Sequence, residues 1–121
     1  MTTAATSQYL LLLLQPGTGP APTPAELQEI MARFGVWMGE LYAKRIVVST
    51  NGLEPTGKIV REPGGALITD GPYAEAKEIV GGYILINAAS LDEAVEIARG
   101  CPGLHYRLAV EVRPVKKHEG C

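Results

Sequence analysis

The feature that most constrains the fold is a run of five leucines near the start of the chain, at residues 10–14, directly after Tyr9. The run is far shorter than the roughly 20 apolar residues of a membrane-spanning helix, and its length suits a β-strand. Because successive side chains of a strand point to opposite faces, the leucines occupy both faces. A strand over residues 9–14 must therefore be covered on both sides. Helices can cover one side, and something else must cover the other.

A long helix is predicted from residue 24 to about residue 44. Thr23 and Glu26 have the spacing of a capping box, and Pro24 suits the first helical position. An apolar stripe at helical spacing predicts which face of this helix points inward. The stripe consists of Leu27, Ile30, Met31, Phe34, Met38 and Leu41.

Shorter elements follow this helix. Strands are predicted over residues 46–49, 58–61, 66–69, 79–86 and 107–112, and a second helix begins after Ser90 and ends at Gly100. The strands at 58–61 and 66–69 form a hairpin with a polar tip. Without this inserted β-hairpin the order is βαββαβ, the ferredoxin-like unit. The predicted fold class is α+β, with both helices on one face of an antiparallel sheet.

Glycines mark further points along the chain. Gly35 and Gly39 lie beside the stripe of the first helix, where they would allow neighbouring backbone to approach closely. Residues 51–52, Asn-Gly, are a turn signal. Residues 81–82, Gly-Gly, indicate a bulge or a close contact within a strand.

The face of the sheet away from the helices is expected to have a mixed character. Half of the leucines at residues 10–14 lie on it, and the last strand adds Arg107 and Glu111. A second sheet packed on this face would cover the leucines. Because symmetric dimers are the commonest oligomers, we predict a homodimer, a dimeric α+β barrel, whose two sheets face each other across a cleft.

Length and composition indicate one domain over residues 1–121, with residues 1–8 and 116–121 as loose termini. The net charge of −2 and the scattered basic residues argue against nucleic acid as a partner. No apolar run suits a membrane span or a signal peptide. The two cysteines are typical of free thiols in a reducing cytoplasm. With His105 and His118 they show no metal-ligand spacing, so neither a metal nor another cofactor is predicted.

Several motifs carry a resemblance to a known family. They are Tyr9-Leu10-Leu11-Leu12, Gly52-Leu53-Glu54-Pro55, Asp70-Gly71-Pro72-Tyr73-Ala74-Glu75-Ala76-Lys77-Glu78, Gly81-Gly82-Tyr83, Leu91-Asp92-Glu93-Ala94, Cys101-Pro102 and Val110-Glu111-Val112-Arg113-Pro114-Val115. In this order they resemble the YCII-related family, specifically its DGPF subgroup, in which phenylalanine is usual where Tyr73 stands. The resemblance covers nearly all of residues 9–115 and implies a dimeric α+β barrel with a cleft.

The resemblance also implies candidate chemistry. Better studied members of the YCII-related family have a histidine in the first helix and an aspartate, proposed as a catalytic pair. Asp70 matches the aspartate. The first helix of this chain has no histidine, and Arg33, Phe34 and Trp37 occupy that region. At most half of the catalytic pair is therefore present.

Asp70 opens a polar connection of nine residues, 70–78, between two strands. A turn-opening aspartate accepts backbone N–H bonds, which is its structural interpretation. Its functional interpretation is a carboxylate that faces the cleft as a general base or as an anchor for a ligand. Lys77 is either solvated or reaches into the cleft, where it would pair with an anionic ligand or keep Asp70 ionised.

The remaining candidates for ligand binding are Arg61 and three aromatic residues, Trp37, Tyr73 and Tyr83. Aromatic residues of a small domain belong mostly to the core, but they also line small-molecule pockets. Trp37 is flanked by charged residues and is the strongest candidate for an aromatic residue outside the core. Either Tyr73 or Arg61 would contact a substrate if the protein is an enzyme.

Three functions remain open at this point. The first is a homodimer that binds an unknown small molecule in a cleft walled by residues 70–78. The second is a cofactor-independent enzyme, such as an isomerase, a lyase or a monooxygenase, with Asp70 as the general base. The third is an accessory protein of sigma-factor-dependent transcription, because some members of the resembled family are encoded beside such factors.

Overall fold

The computed structural model describes residues 6–17, 19–61, 67–71 and 78–117, with residue 61 and residues 67–71 described by their backbone alone. The elements, in chain order, are β1 (Ser7–Pro16), α1 (Pro24–Ala43), β2 (Val47–Gly52), β3 (Gly57–Arg61), β4 (Leu67–Gly71), β5 (Glu78–Ala88), α2 (Leu91–Arg99), a 3-10 helix (Pro102–Tyr106) and β6 (Ala109–Pro114). Their order confirms the prediction of a βαββαβ unit with an inserted hairpin.

The main sheet has four strands in the order β2-β5-β1-β6, and every neighbouring pair is antiparallel. The hairpin strands β3 and β4 pair with each other in a separate two-stranded sheet. With the hairpin left out, this is the strand order of a ferredoxin-like fold. The predicted α+β class is confirmed, whereas the dimeric barrel stays a prediction.

Both helices pack on one face of the main sheet and form a single core with it. From the sheet, Leu11, Ile84 and Ile86 are fully buried in this core. The helices contribute Trp37, Met38, Leu41, Ala94 and Ala98. The alanines of α2 have small side chains, so this helix can lie close to the strands.

The inward face of α1 differs from the predicted stripe. Leu27 is 51% exposed and Met31 is 66% exposed, whereas Trp37 is only 7% exposed. The buried residues of α1 all lie in its second half. Periodicity predicts which face of a helix is apolar, but it does not predict how far along the helix the core extends. The prediction that Leu27 and Met31 point into the core is therefore wrong.

Local capping fixes the start of each helix as predicted. Thr23 Oγ1 accepts from the backbone N–H of Glu26 at 3.1 Å, and Glu26 Oε1 accepts from the N–H of Thr23 at 2.9 Å, which completes the capping box of α1. In α2, Ser90 Oγ accepts from the N–H of Glu93 at 3.1 Å, and Gly100 follows the last helical residue.

The glycine predictions have mixed outcomes. Leu13 pairs with Gly82 and Leu14 with Val80, so Gly81 is an extra residue and the predicted bulge is confirmed. A Cβ added at residue 35 or 39 would meet no described residue within 4 Å, so the close approach predicted there is wrong. Residues 51–52 end strand β2 instead of forming a turn.

Two predicted boundaries also change. Ser7 and Gln8 belong to β1 instead of a loose leader, and the backbone oxygen of Gln8 accepts from the N–H of Val115 at 3.0 Å. The last strand starts at Ala109, because the 3-10 helix ends in a left-handed conformation at Arg107, with φ of 70°. Arg107 therefore does not lie on the face of the sheet. Within the described residues, neither α1 nor α2 is long and apolar enough to cross a membrane.

Candidate functional site

The face of the main sheet opposite the helices, here called the open face, has an apolar centre. Leu10 lies opposite Leu85, and Leu14 lies opposite Val80, across the two central strands β1 and β5. Leu12 lies between these pairs. We call these five side chains the apolar band. They are partly exposed in the single chain, so the open face presents apolar surface to water.

The edge strands give the open face polar margins. On β6, Glu111 lies opposite Leu12 and Arg113 lies opposite Leu10. The Glu111 carboxylate and the Arg113 guanidinium form an ion pair at 3.4 Å, and both side chains are exposed. Such an exposed pair contributes little to stability. It gives this margin a hydrophilic character, as the sequence predicted for Glu111.

The opposite margin contains a hydrogen-bonded cluster, here called the polar corner, of Ser49, Asn51 and Tyr83. Asn51 Nδ2 donates to the hydroxyl of Tyr83 at 3.0 Å, and Ser49 Oγ lies 3.3 Å from the same hydroxyl. The hydrogen bonds from Ser49 and Asn51 lower the pKa of Tyr83 from its ordinary value, because they stabilise the phenolate. The polar corner thus holds a tyrosine oxygen in a defined place beside the apolar band.

A register shift in β2 creates this arrangement. Val47 lies opposite Ile86, but Ser49 lies opposite Leu85, so Val48 is an extra residue. Beyond the shift, Asn51 lies opposite Tyr83. Because side chains alternate along a strand, the extra residue turns Ser49 and Asn51 to the open face.

The structure separates two of the aromatic residues that the sequence suggested for one pocket. Trp37 belongs to the core on the helix side, where its ring lies edge-on to Phe34 with a centroid separation of 5.4 Å. Tyr83 lies on the open face, on the other side of the sheet. The two side chains cannot line one cleft. A ligand-binding role for Trp37 stays a prediction and would need a separate site.

The other predicted site residues belong to the inserted hairpin and the connection after it. Arg61 is the last residue of β3, and Asp70 lies in β4 opposite Lys58. The side chains of Arg61 and Asp70, and the whole of Tyr73 and Lys77, lie outside what the structure describes. Their predicted roles stay predictions.

Sequence reasoning missed Ser49 and Asn51 as site residues. The Asn-Gly pair at residues 51–52 predicts a turn, because it is a strong hairpin signal. The pattern around Ser49 predicts a strand and indicates no role for its hydroxyl group. No local signal indicates the extra residue at position 48, and a shift of one residue decides which face each side chain occupies.

Two shallow depressions lie away from the polar corner. One, of about 380 Å³, lies between α2, the 3-10 helix and β6, and the other, of about 430 Å³, lies where the chain enters β1 and leaves β6. Neither includes a predicted site residue. In the described part of the chain, no group of three or more His, Cys, Asp or Glu side chains could hold a metal ion.

The topology and the half-apolar open face define a class, the α+β proteins of ferredoxin-like fold with a sheet face available for packing. Within that class, residues 9–119 match the YCII-related domain, and the chain belongs to the YCII-related family. It is also similar to an uncharacterized protein of Rhizobium meliloti (strain 1021), with 43% identity over 53 residues. That match covers 43% of each chain, less than half of the relative's length.

Proposed function

We propose that the protein is a homodimer whose two open faces pack together around a cleft, and that the cleft binds a small molecule. The apolar band is the observation that carries this proposal. Five apolar side chains on one face of two neighbouring central strands form the kind of patch that marks an interaction site. Full burial of an exposed leucine contributes about 1.5–3 kcal/mol, and each leucine of the band would contribute a fraction of this to association, because it is already partly buried in the single chain.

The shape of the open face suits a second copy of the same sheet. Two sheets pack face to face about 10 Å apart, with their side chains interdigitated. Symmetry would bring the apolar bands together at the centre of the interface. The polar corner and the Glu111–Arg113 pair would then lie nearer its margins, where a cleft can keep polar groups accessible to a ligand.

The segment of residues 70–78, which begins in the last two residues of β4 and ends at the first residue of β5, would form a wall of this cleft. Its last residue, Glu78, lies opposite Pro16 at the end of β1. The apolar band reaches the same end of the sheet with Leu14 and Val80. In this arrangement Asp70 and Lys77 are the proposed polar contacts of the wall, with Arg61 and Tyr73 beside them.

Two finer assignments belong to the same proposal. The motif that begins at Asp70 supports membership of the DGPF subgroup. The one cysteine that the structure describes, Cys101, is a buried free thiol. Burial raises its pKa, which keeps the thiol protonated and unreactive. Such a thiol is compatible with a reducing cytoplasm, where we place the protein.

The test compares two lysine substitutions by light scattering coupled to size-exclusion chromatography. Leu12→Lys puts a charge at the centre of the open face, where Glu111 can pair with it inside one chain. Leu27→Lys puts the same charge on α1, at a leucine that is already 51% exposed. We expect a dimer for the wild type and for Leu27→Lys, and a folded monomer for Leu12→Lys.

Ligand binding is tested on the same proteins with a fragment library and thermal shift. Fragments that stabilise the wild type and Leu27→Lys, but not Leu12→Lys, would place the site between two copies. Wild-type protein that stays monomeric at micromolar concentration contradicts the homodimer. Fragments that stabilise all three proteins equally contradict a cleft at the open face.

A further inference from the structure

One hydroxyl hydrogen of the polar corner has no acceptor among the described residues. Asn51 Nδ2 donates a hydrogen bond to the Tyr83 hydroxyl oxygen. The hydroxyls of Ser49 and Tyr83 share one further hydrogen bond, in which either can be the donor. One hydroxyl donates to the other, and the second hydrogen is left over whichever way the bond runs. No further hydrogen bond of these two hydroxyls occurs among the described residues. A donor without a partner is a costly feature once water is excluded.

The neighbours of this hydrogen are apolar. Tyr83 lies opposite Leu12 of β1, and Ser49 lies opposite Leu85 of β5. Both leucines belong to the apolar band. The apolar part of a ligand that lies along the band would contact the leucine side chains. The end of this ligand that reaches the polar corner would meet a hydroxyl donor.

From this juxtaposition we propose that the hydroxyl pair of Ser49 and Tyr83 recognises an sp² oxygen, of a carbonyl or a carboxylate, on a ligand with an apolar body. Asn51 is a positioning residue, because its amide holds the phenol oxygen without needing to touch the ligand. This inference rests on the proposed function, since it names the class of ligand for the same cleft.

Matched probes test the preference for an acceptor oxygen. Acetophenone and benzoate carry the oxygen, whereas α-methylstyrene replaces the carbonyl oxygen of acetophenone by a methylene group. The same three compounds with a cyclohexyl ring in place of the phenyl ring repeat the comparison with a different apolar group. Dissociation constants follow from titrations monitored by amide NMR shifts. In the wild type we expect at least one oxygen-bearing probe to bind about tenfold more tightly than its hydrocarbon partner. The ketone and acid arms distinguish a carbonyl from a carboxylate.

The variants separate the hydroxyl pair from the rest of the cleft. Tyr83→Phe should remove most of the tenfold preference while the hydrocarbon probe binds as before. Asn51→Ala should reduce the preference and raise the pKa of Tyr83, measured from its ring-carbon NMR signal. Tyr42→Phe, at a 54% exposed tyrosine on α1, is the matched control and should change neither quantity.

Each contrary outcome identifies what has failed. Equal binding of oxygen and hydrocarbon probes, or a preference that survives Tyr83→Phe, overturns this inference and leaves the cleft in place. Dissociation of the dimer by Tyr83→Phe also overturns it, because the hydroxyl would then serve the second copy. Binding of no probe by the wild type contradicts the proposed function together with this inference.

Discussion

Replacing Gly100 by alanine should destabilise the protein, although the backbone alone favours alanine there. Gly100 follows α2 with φ of −78° and ψ of −6°, a conformation that any residue adopts. A Cβ at this position would lie 2.8 Å from Nε1 and 3.3 Å from Cδ1 of Trp37. Both distances are shorter than ordinary van der Waals contact, so the indole ring or the end of α2 must move.

The magnitude follows from two opposing effects. Loss of glycine flexibility stabilises the folded state by about 0.5–1 kcal/mol. Overpacking of a core contact costs about 1–3 kcal/mol. Trp37 has little freedom to move, because it is only 7% exposed and packs edge-on against Phe34. Overpacking should therefore dominate, and the middle of the two ranges gives a net loss of about 1 kcal/mol in the free energy of unfolding.

Gly39→Ala is the matched control, because it makes the same chemical change on an open surface. Among the residues that the structure describes, none lies within 4 Å of a Cβ added at residue 39, which lies inside α1. Alanine is favoured over glycine in a helix by about 0.8–1.0 kcal/mol. The two substitutions should change the free energy of unfolding in opposite directions.

Urea unfolding measures both changes, with Trp37 as the single fluorescent tryptophan and far-UV circular dichroism as a second probe. The double variant Trp37→Phe/Gly100→Ala removes the indole nitrogen and should recover part of the loss, beyond the sum of the single effects. The reasoning fails if Gly100→Ala stabilises the protein as much as Gly39→Ala does. Trp37 would then not pack on the end of α2, and its predicted role in a ligand site would regain support.

Two further substitutions test the elements that hold the site. Thr23→Ala removes one arm of the capping box with Glu26 and should cost about 1 kcal/mol in urea unfolding, and an unchanged midpoint would refute the role of this cap. Gly82→Ala adds a Cβ 3.0 Å from the backbone oxygen of Asn51 and 3.3 Å from the Cα of Gly52. It should therefore displace β2 and raise the pKa of Tyr83 in the NMR titration, and an unaltered pKa would show that the polar corner does not depend on this contact.

Features with a local cause could be predicted from the sequence. The capping residues Thr23 and Ser90 act within one turn of their helices, and both helix starts are correct to the residue. The bulge at Gly81 also has a local signal, a glycine pair within a strand. The strand order follows from the βαββαβ pattern, because few arrangements of two helices and four strands are compatible with it. The arrangement must also bury one face of β1 under the helices and leave leucines on its opposite face.

Features that depend on distant contacts could not be predicted. The sequence around Trp37 indicated a residue outside the core, because Arg33 and Glu40 flank it on the helix surface. Its burial depends on the end of α2, which lies more than 60 residues later in the chain. The exposure of Leu27 likewise depends on where the core ends beneath α1. The local periodicity of α1 indicates neither the contact of Trp37 with the end of α2 nor the point where the core ends beneath α1.

The polar corner depends on a single extra residue in an edge strand. With regular pairing after Val47, Thr50 would lie on the open face opposite Tyr83, and Ser49 would point to the core side opposite Ile84. The extra residue, Val48, reverses this and is itself 46% exposed. Thr50 then donates to the backbone oxygen of Tyr83 at 2.8 Å, which supports the shifted register. An exposed valine has no evident structural benefit, whereas the turned Ser49 holds the hydroxyl of Tyr83. The register of β2 therefore decides which hydroxyl groups a ligand would meet in the proposed cleft.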